Sequence, residues 1–272
     1  MDSWKIFCLS IYNQNSKFFK ELNYTPVGLG NADFNKDWIS DKRGINISNK
    51  NFYYGEYTFH YSIWKNHLEI LKDQSWIGFS TYRRFWTNKN INNASIEDLK
   101  NNIITHPPKI CNDSEVILVK KLTIGKIKRS KIIKNFGIKN LLLNFNFLLK
   151  NQHSLYEHFQ IFHGSYHINE AIKLLPNEDR NDFEEYLQNY CFNPFNLFIC
   201  RNSKILEEYY KNIFSWLSKC ENKFDMTKLQ GYQIRMLAFL AEYYLSYWFN
   251  KKFTVFENPI VFFDTNQNIQ DY

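Results

Sequence analysis

The chain has 272 residues, 44% hydrophobic and 18% aromatic, with no Gly/Ser/Pro-rich linker to divide it, so one domain over 1–272 with a substantial core is expected. A net charge of +7 favours anionic partners, which include nucleotide sugars, acidic lipid headgroups and nucleic acid. Five scattered cysteines without a C-x-x-C pair (Cys8, Cys111, Cys191, Cys200, Cys220) argue against a disulfide framework and a cysteine zinc site.

In chain order, Lys5 to Tyr12 reads as a first strand. The opening Met1-Asp2-Ser3-Trp4-Lys5 carries no signal-peptide core, and no uncharged run reaches the length of about 20 residues that spans a bilayer. A cytoplasmic location is therefore expected. Tyr24 to Gly30 reads as a short strand and turn in which Gly28 and Gly30 admit close backbone approach to a ligand. From Phe52 to Leu71 the apolar residues Tyr57, Tyr61, Trp64, Leu68 and Leu71 recur every three or four positions, which predicts an amphipathic helix.

The run from Ser75 to Trp86 reads as a buried strand that delivers Arg83 and Arg84 at its carboxyl end, the edge at which open α/β sheets bind ligands. Two guanidinium forks suit a diphosphate, because each grips phosphate oxygens bidentately and stays charged. Tyr82, Phe85 and Trp86 around the pair suggest a pocket wall, against the alternative of a solvated surface ion pair.

Ser95-Ile96-Glu97-Asp98 reads as a helix start and Glu115 to Lys120 as a further strand. Between Glu115 and Glu157 the chain holds nine basic residues and no acidic one, beside an apolar run from Ile138 to Leu149. This segment, about 120–150, reads as an insertion that lies on an anionic membrane, or as a core-facing helix with a solvated basic face. Helices are predicted near 153–163, 167–175 and 178–190, a strand over Phe195 to Cys200, helices over Ser203–Cys220 and about Gln230–Phe249, and closing strands at 253–255 and 261–263. Strands separated by helices predict an α/β sandwich.

Several of these segments carry a resemblance. Asn46-Ile47-Ser48-Asn49-Lys50-Asn51, Trp64-Lys65-Asn66, Trp76-Ile77-Gly78 with Tyr82-Arg83-Arg84-Phe85, Ser154 to Phe159 with His163, Phe195 to Cys200, and Arg235 to Trp248 resemble, in order, a family of bacterial capsular-polysaccharide glycosyltransferases. That family was long catalogued as a domain of unknown function and includes galactofuranosyltransferases. The likeness spans roughly residues 5–263. Thr81 stands where the family has His, and Tyr243 where it has Arg. The resemblance implies a Rossmann-like A-type glycosyltransferase fold, with a mixed central sheet flanked by helices. It also implies a nucleotide-sugar donor, UDP-linked and with galactofuranose as one candidate sugar, and a capsule or lipopolysaccharide glycan, free or lipid-linked, as acceptor.

Most enzymes of that fold hold a divalent cation on the donor diphosphate with an Asp-x-Asp motif. No two aspartates here lie two apart; Asp113-Ser114-Glu115 is the nearest mimic and precedes its strand. Arg83 or Arg84 is expected to replace the ion, so no cofactor is expected. Ser10, Gly28, Asn46, Ser48, Lys65, Thr81 and Tyr82 are the further donor-side candidates. An inverting transfer needs a general base. Glu242, which matches the family's late Glu, is the first candidate and Glu56 the second. His158, His163, Asn196 and Arg235 are acceptor-side candidates. His163 and His167 have the i, i+4 spacing of helical metal ligands, but no Glu follows His163 as a zinc protease requires, so no metal site is expected. The alternative is a non-catalytic protein of the same fold that binds sugar nucleotides or nucleic acid; no nucleic-acid motif is present.

Overall fold

The computed structural model describes residues 3–14, 16–108, 113–136 and 146–268. They form two compact units: Met1–Lys120, Phe195–Lys211 and Phe249–Tyr272 make the first, and Lys121–Pro194 with Asn212–Trp248 the second. The strands are β1 (Trp4–Ser10), β2 (Thr25–Gly28), β3 (Ile39–Ser40), β4 (Trp76–Thr81), β5 (Arg84–Trp86), β6 (Val116–Val119), β7 (Leu122–Thr123), β8 (Cys191–Phe192), β9 (Phe198–Arg201), β10 (Val255–Asn258) and β11 (Ile260–Phe262).

The first unit is built on a nine-stranded mixed sheet whose main path runs β10-β6-β9-β4-β1-β2-β3, with β5 and β11 extending from β4. β1 pairs in parallel with both β2 and β4, and β2 with β3. β9 is antiparallel to β4 and to β6, so β6 points the same way as β4, and β10 follows β6 in parallel. Continuous apolar runs belong in strands covered on both faces. β4 and β6 fit this rule, since every residue of each is buried. Gly78 lets the middle of the sheet close up. A Cβ there would lie 2.5 Å from Ile6 of β1 and 2.5 Å from Ile199 of β9.

The expected long helix over Phe52–Leu71 is divided. Asn51–Tyr54 ends at Gly55, whose φ of 56° reverses the chain, and a second helix runs Tyr57–Asn66 before a 3-10 turn at Glu69–Leu71. Helix does form from Tyr57, but of the expected stripe Tyr61, Trp64 and Leu68 are only half-buried, and Gly55, which takes a left-handed conformation cheaply, breaks the helix. Helix Tyr57–Asn66 buries Tyr57, Phe59, His60 and Ile63. Its Tyr57 hydroxyl meets that of Tyr209 at 2.5 Å, and His60 Nδ1 meets the Tyr210 hydroxyl at 2.9 Å.

In the second unit, Leu155–His163 begins with the reciprocal Ser154–Glu157 capping box, and Ser165–Lys173 and Asn177–Tyr186 follow. Residues 212–223 of helix Asn202–Lys223 and 236–248 of helix Met236–Lys252 complete it. Its core gathers around Trp216, whose indole donates to the Ala171 carbonyl at 2.7 Å, with Phe183 and Tyr244 against its ring. The β7–β8 pair is a separate two-stranded sheet. Of the basic segment, helix Arg129–Phe136 buries Ile132 against Ile161; residues 137–145, and Cys111, lie outside the described residues. The four described cysteines are free, and no helix among the described residues is long and apolar enough to cross a membrane.

The Gly78 contact makes a sharp test of the central packing. Gly78→Ala should lower the unfolding free energy by about 1–3 kcal/mol, the usual cost of overpacking, measured by urea denaturation. An unchanged midpoint would contradict the close approach of β1, β4 and β9.

Candidate functional site

The register of the parallel strands aligns their carboxyl ends. Ser10 lies opposite Gly28, Gly28 opposite Ser40, and Leu9 opposite Thr81. The backbone ladder continues one residue past each end: Leu29 N–H donates to Ser10 at 2.9 Å, Asp41 to Gly28 at 3.2 Å and Tyr82 to Leu9 at 2.9 Å. Ser10, Gly28, Thr81, Tyr82 and Arg83 are thereby brought to one edge, which is the ligand-binding edge of an open α/β sheet.

The stretch expected as one strand over 75–86 is a hairpin. β4 ends at Thr81, Tyr82 and Arg83 turn, and β5 begins at Arg84, which pairs with Thr81. The turn separates the two arginines. Arg84 lays its guanidinium 4.1 Å over the ring of Phe195, whereas Arg83 sits 5.4 Å over the ring of Tyr82. Arg83 is half-buried and has no carboxylate partner among the described residues. Its main chain is fixed by Phe263, whose N–H donates to the Arg83 carbonyl at 3.1 Å, and by Thr265, which donates its hydroxyl to the Tyr82 carbonyl at 2.6 Å. Tyr82 packs edge-on against Tyr12 at 5.2 Å, and Tyr12 is 41% exposed. Burial pushes the Tyr82 phenol up, so it remains a neutral hydroxyl.

Thr81 is 5% exposed, and its hydroxyl has no hydrogen-bond partner among the described residues. Buried hydroxyls are normally satisfied. An unsatisfied one at the strand end, one residue before the Tyr82-Arg83 turn, suits a ligand acceptor.

Other donor-side candidates have structural work. The Ser10 hydroxyl donates to the Tyr12 carbonyl and accepts the Tyr12 N–H, closing its own turn. Gly28 makes room for Phe34, whose ring would lie 2.3 Å from an added Cβ. Asn46 accepts from both the N–H and the hydroxyl of Ser48 while donating to the Lys42 and Gly44 carbonyls. Lys65 rests its ammonium 3.4 Å over Trp64. Glu56 is half-buried at the start of helix Tyr57–Asn66. Asn196, expected on a strand, is instead in the turn before β9, where it and Phe195 have positive φ (54° and 78°).

One residue of this edge is not among the candidates read from the sequence. Asp41 is fully buried; Thr58 donates to it at 2.6 Å and the Gly30 N–H reaches both oxygens at 3.1 and 3.2 Å. Burial nevertheless raises its pKa, with the Thr58 and Gly30 bonds opposing. Asp41 pins the loop after β2, where Gly30 has φ 69°.

The remaining candidates belong to the second unit. His158 Nδ1 meets the Tyr243 hydroxyl at 2.5 Å, so the phenol that replaces the family's Arg is committed to this imidazole. His163, 2% exposed, lies against Tyr232, Phe239 and Phe159. Burial depresses His158 to about 4 and His163 to about 3, so both are neutral hydrogen-bonding groups at neutral pH. Glu242 is half-buried; burial raises the phenols of Tyr232 and Tyr243, and the Glu242 charge adds to it, an effect that Arg235 opposes at Tyr232. Arg235 is on the 3-10 turn Gly231–Arg235, not on the helix that follows. His167 Nδ1 bonds the His163 carbonyl at 2.5 Å, which uses the i, i+4 spacing within the helix connection. No cluster of three potential metal-ligating side chains occurs among the described residues.

The buried imidazoles predict an acid-labile fold. His60, like His163, is driven to about 3 by burial. Between those values and the unfolded value near 6.5 the unfolded chain binds more protons, so stability is full above about pH 6.5 and falls as pH drops. Each such histidine steepens the loss by at most about 1.4 kcal/mol per pH unit; the raised Asp41 opposes it. Thermal midpoints should fall between pH 6.5 and 4, less steeply in His163→Phe, and a flat profile would contradict the burial of these rings.

In three dimensions the chain is similar to the apo structure of the bifunctional glycosyltransferase WbbM, with a TM-score of 0.68 and 18% identity over 96% of this chain and 45% of that one. The present chain therefore spans less than half of that protein, and the likeness establishes the shared α/β fold. A search of curated proteins gives no match. Matched over residues 8–253, the chain belongs to the family described as Domain of unknown function (DUF4422).

Proposed function

We propose that this protein is a glycosyltransferase that uses a nucleotide-sugar donor, bound at the carboxyl edge of β1, β2 and β4. The observation that carries this reading is the turn Tyr82-Arg83, which presents a guanidinium without a carboxylate partner among the described residues, one residue after the unsatisfied hydroxyl of Thr81. A fixed cation and a hydroxyl donor are what a diphosphate leaving group requires, because negative charge grows on it as the glycosidic bond breaks. Tyr12, exposed at the end of β1, offers a ring face to a base or ribose. The fold shared with a protein described as a bifunctional glycosyltransferase supports sugar transfer as the chemistry.

The reaction proposed is a single displacement with inversion. An acceptor hydroxyl attacks the anomeric carbon, the bond from that carbon to the diphosphate oxygen breaks, and a carboxylate takes the hydroxyl proton. Glu242 is the proposed base, with Glu56 second. His158, His163, Asn196 and Arg235 are proposed for the acceptor side, His158 and His163 as neutral groups. Arg83 is proposed as the principal phosphate cation, with Arg84 held on Phe195 as its neighbour and Lys65 as a further cation. The donor is proposed to be UDP-linked, with galactofuranose a candidate sugar, and the acceptor a capsule or lipopolysaccharide glycan, free or lipid-linked. Metal independence is proposed because no Asp-x-Asp occurs in the sequence and Asp41 is engaged with Gly30 and Thr58. The exposed residues Lys126, Lys128, Lys131 and Lys134 support a cytoplasmic protein lying on an anionic membrane surface, and no nucleic-acid partner is proposed.

Titration calorimetry with UDP separates the roles. UDP should bind with or without chelator, and Arg83→Ala should weaken it about tenfold to a hundredfold, the loss of a charged hydrogen bond. Glu242→Gln should keep UDP affinity and lose turnover of the donor sugar. Chelator-sensitive binding, or full affinity in Arg83→Ala, would contradict the guanidinium site; full turnover in Glu242→Gln would remove it as the base.

A further inference from the structure

Beside the Tyr82-Arg83 turn, on its β11 side, is an open cavity of about 600 Å³ that none of the groups above uses. Its wall includes Phe262, Asn92, Asn93, Asp264, Gln267 and Asn268. Backbone pairing ties it to the turn: Phe262 is opposite Arg84 in the β5–β11 ladder, and the next residue, Phe263, bonds the Arg83 carbonyl. Phe262 is 60% exposed although its strand neighbour Val261 is buried, so an aromatic ring faces the cavity mouth at an edge of the sheet.

The polar lining is unusual in kind. It carries four side-chain amides and one carboxylate, and no cation. Asp264 uses one oxygen to cap the short turn that follows, accepting the Asn266 N–H at 3.0 Å, and Asn268 donates to the Asp264 carbonyl at 2.7 Å. The amides of Asn92, Asn93 and Gln267 make no side-chain hydrogen bond among the described residues. Each planar amide offers two donors and an acceptor. An exposed aromatic face beside amide groups matches a ring with C–H bonds on one face and hydroxyls around its rim. A phosphate would find no positive charge here, and an apolar ligand would strand the amides.

We propose that this cavity is a glycosyl subsite that holds one neutral hexosyl unit against Phe262, with its hydroxyls bonded by Asn92, Asn93 and Gln267. The assignment rests on the transferase reading and names the class of group that lies next to its phosphate turn: an uncharged sugar ring of donor or acceptor.

Saturation-transfer NMR on the full chain tests it, with methyl α- and β-hexopyranosides of galactose, glucose and mannose as probes and UDP as a separate probe. At least one hexoside should receive saturation from the wild type. Phe262→Ala should weaken that hexoside about tenfold, the loss of one aromatic contact, while Phe262→Trp retains it and Asn92→Ala reduces it. Thermal midpoints of the variants, all at exposed positions, confirm that each is folded. No hexoside signal in the wild type, or undiminished signal in both Phe262→Ala and Asn92→Ala, would overturn the subsite. If UDP binds and the hexoside pattern fails, the subsite alone falls; if the hexoside pattern holds and UDP fails to bind, the subsite stands and the transferase reading falls.

Discussion

The in-register parallel pairing of β1 with β2 and β4 is the constraint from which the site follows. With Ser10 opposite Gly28 and Leu9 opposite Thr81, a slip of one residue would turn every side chain of a strand to the opposite face. Such a slip would bring charge or polarity into a sheet whose β4 is wholly buried. The register also decides where the chain leaves the sheet, and so where Tyr82 and Arg83 turn. Gly78 strengthens the lock, because only a glycine lets Ile6 and Ile199 meet across β4.

What the site can do follows from how its two arginines differ. Adjacent residues at a hairpin turn face different neighbours. Arg84 is laid on Phe195 in the turn before β9, while Arg83 stays beside Tyr82 and Tyr12 at the strand ends. A guanidinium on an aromatic face keeps its charge and the donors of its own plane, so the contact with Tyr82 leaves Arg83 able to bind an anion. Arg83 differs in having no carboxylate partner among the described residues, and it lies two residues beyond Thr81, whose buried hydroxyl has no hydrogen-bond partner among them. The amide-lined cavity on the β11 side is of the opposite character, polar without cations. A cationic turn next to an amide-rich cavity without cations complements a nucleotide sugar, whose anionic diphosphate adjoins a neutral ring.

The elements that were legible in the amino-acid order are those whose cause is local. The apolar run of β4, the Ser95–Asp98 helix start, the helix near 153–163 and the helical period through Tyr57 each depend on residues within a turn or two. The likeness to a glycosyltransferase family rested on short segments spread through the chain, and the shared fold agrees with it. Distant contacts were illegible. Asp41 gained its place from Gly30 and Thr58, eleven and seventeen residues away. Gly28 read as a ligand contact because its neighbour Phe34 packs onto it only once β2 and the following loop are folded. Asn196 read as a strand residue because Phe195 and Asn196 are apolar-flanked, yet both adopt left-handed backbone that closes the turn ahead of β9. The helical histidines read as open acceptor groups, whereas His163 is enclosed by three aromatic rings.

The central claim is that the turn after β4 holds the donor's phosphates with protein cations and hydroxyls. A crystal structure of the chain soaked with a UDP-sugar tests it most directly. The account predicts the diphosphate within hydrogen-bonding distance of the Arg83 guanidinium and the Thr81 hydroxyl. A diphosphate bound elsewhere, with Thr81 left unsatisfied, would contradict it.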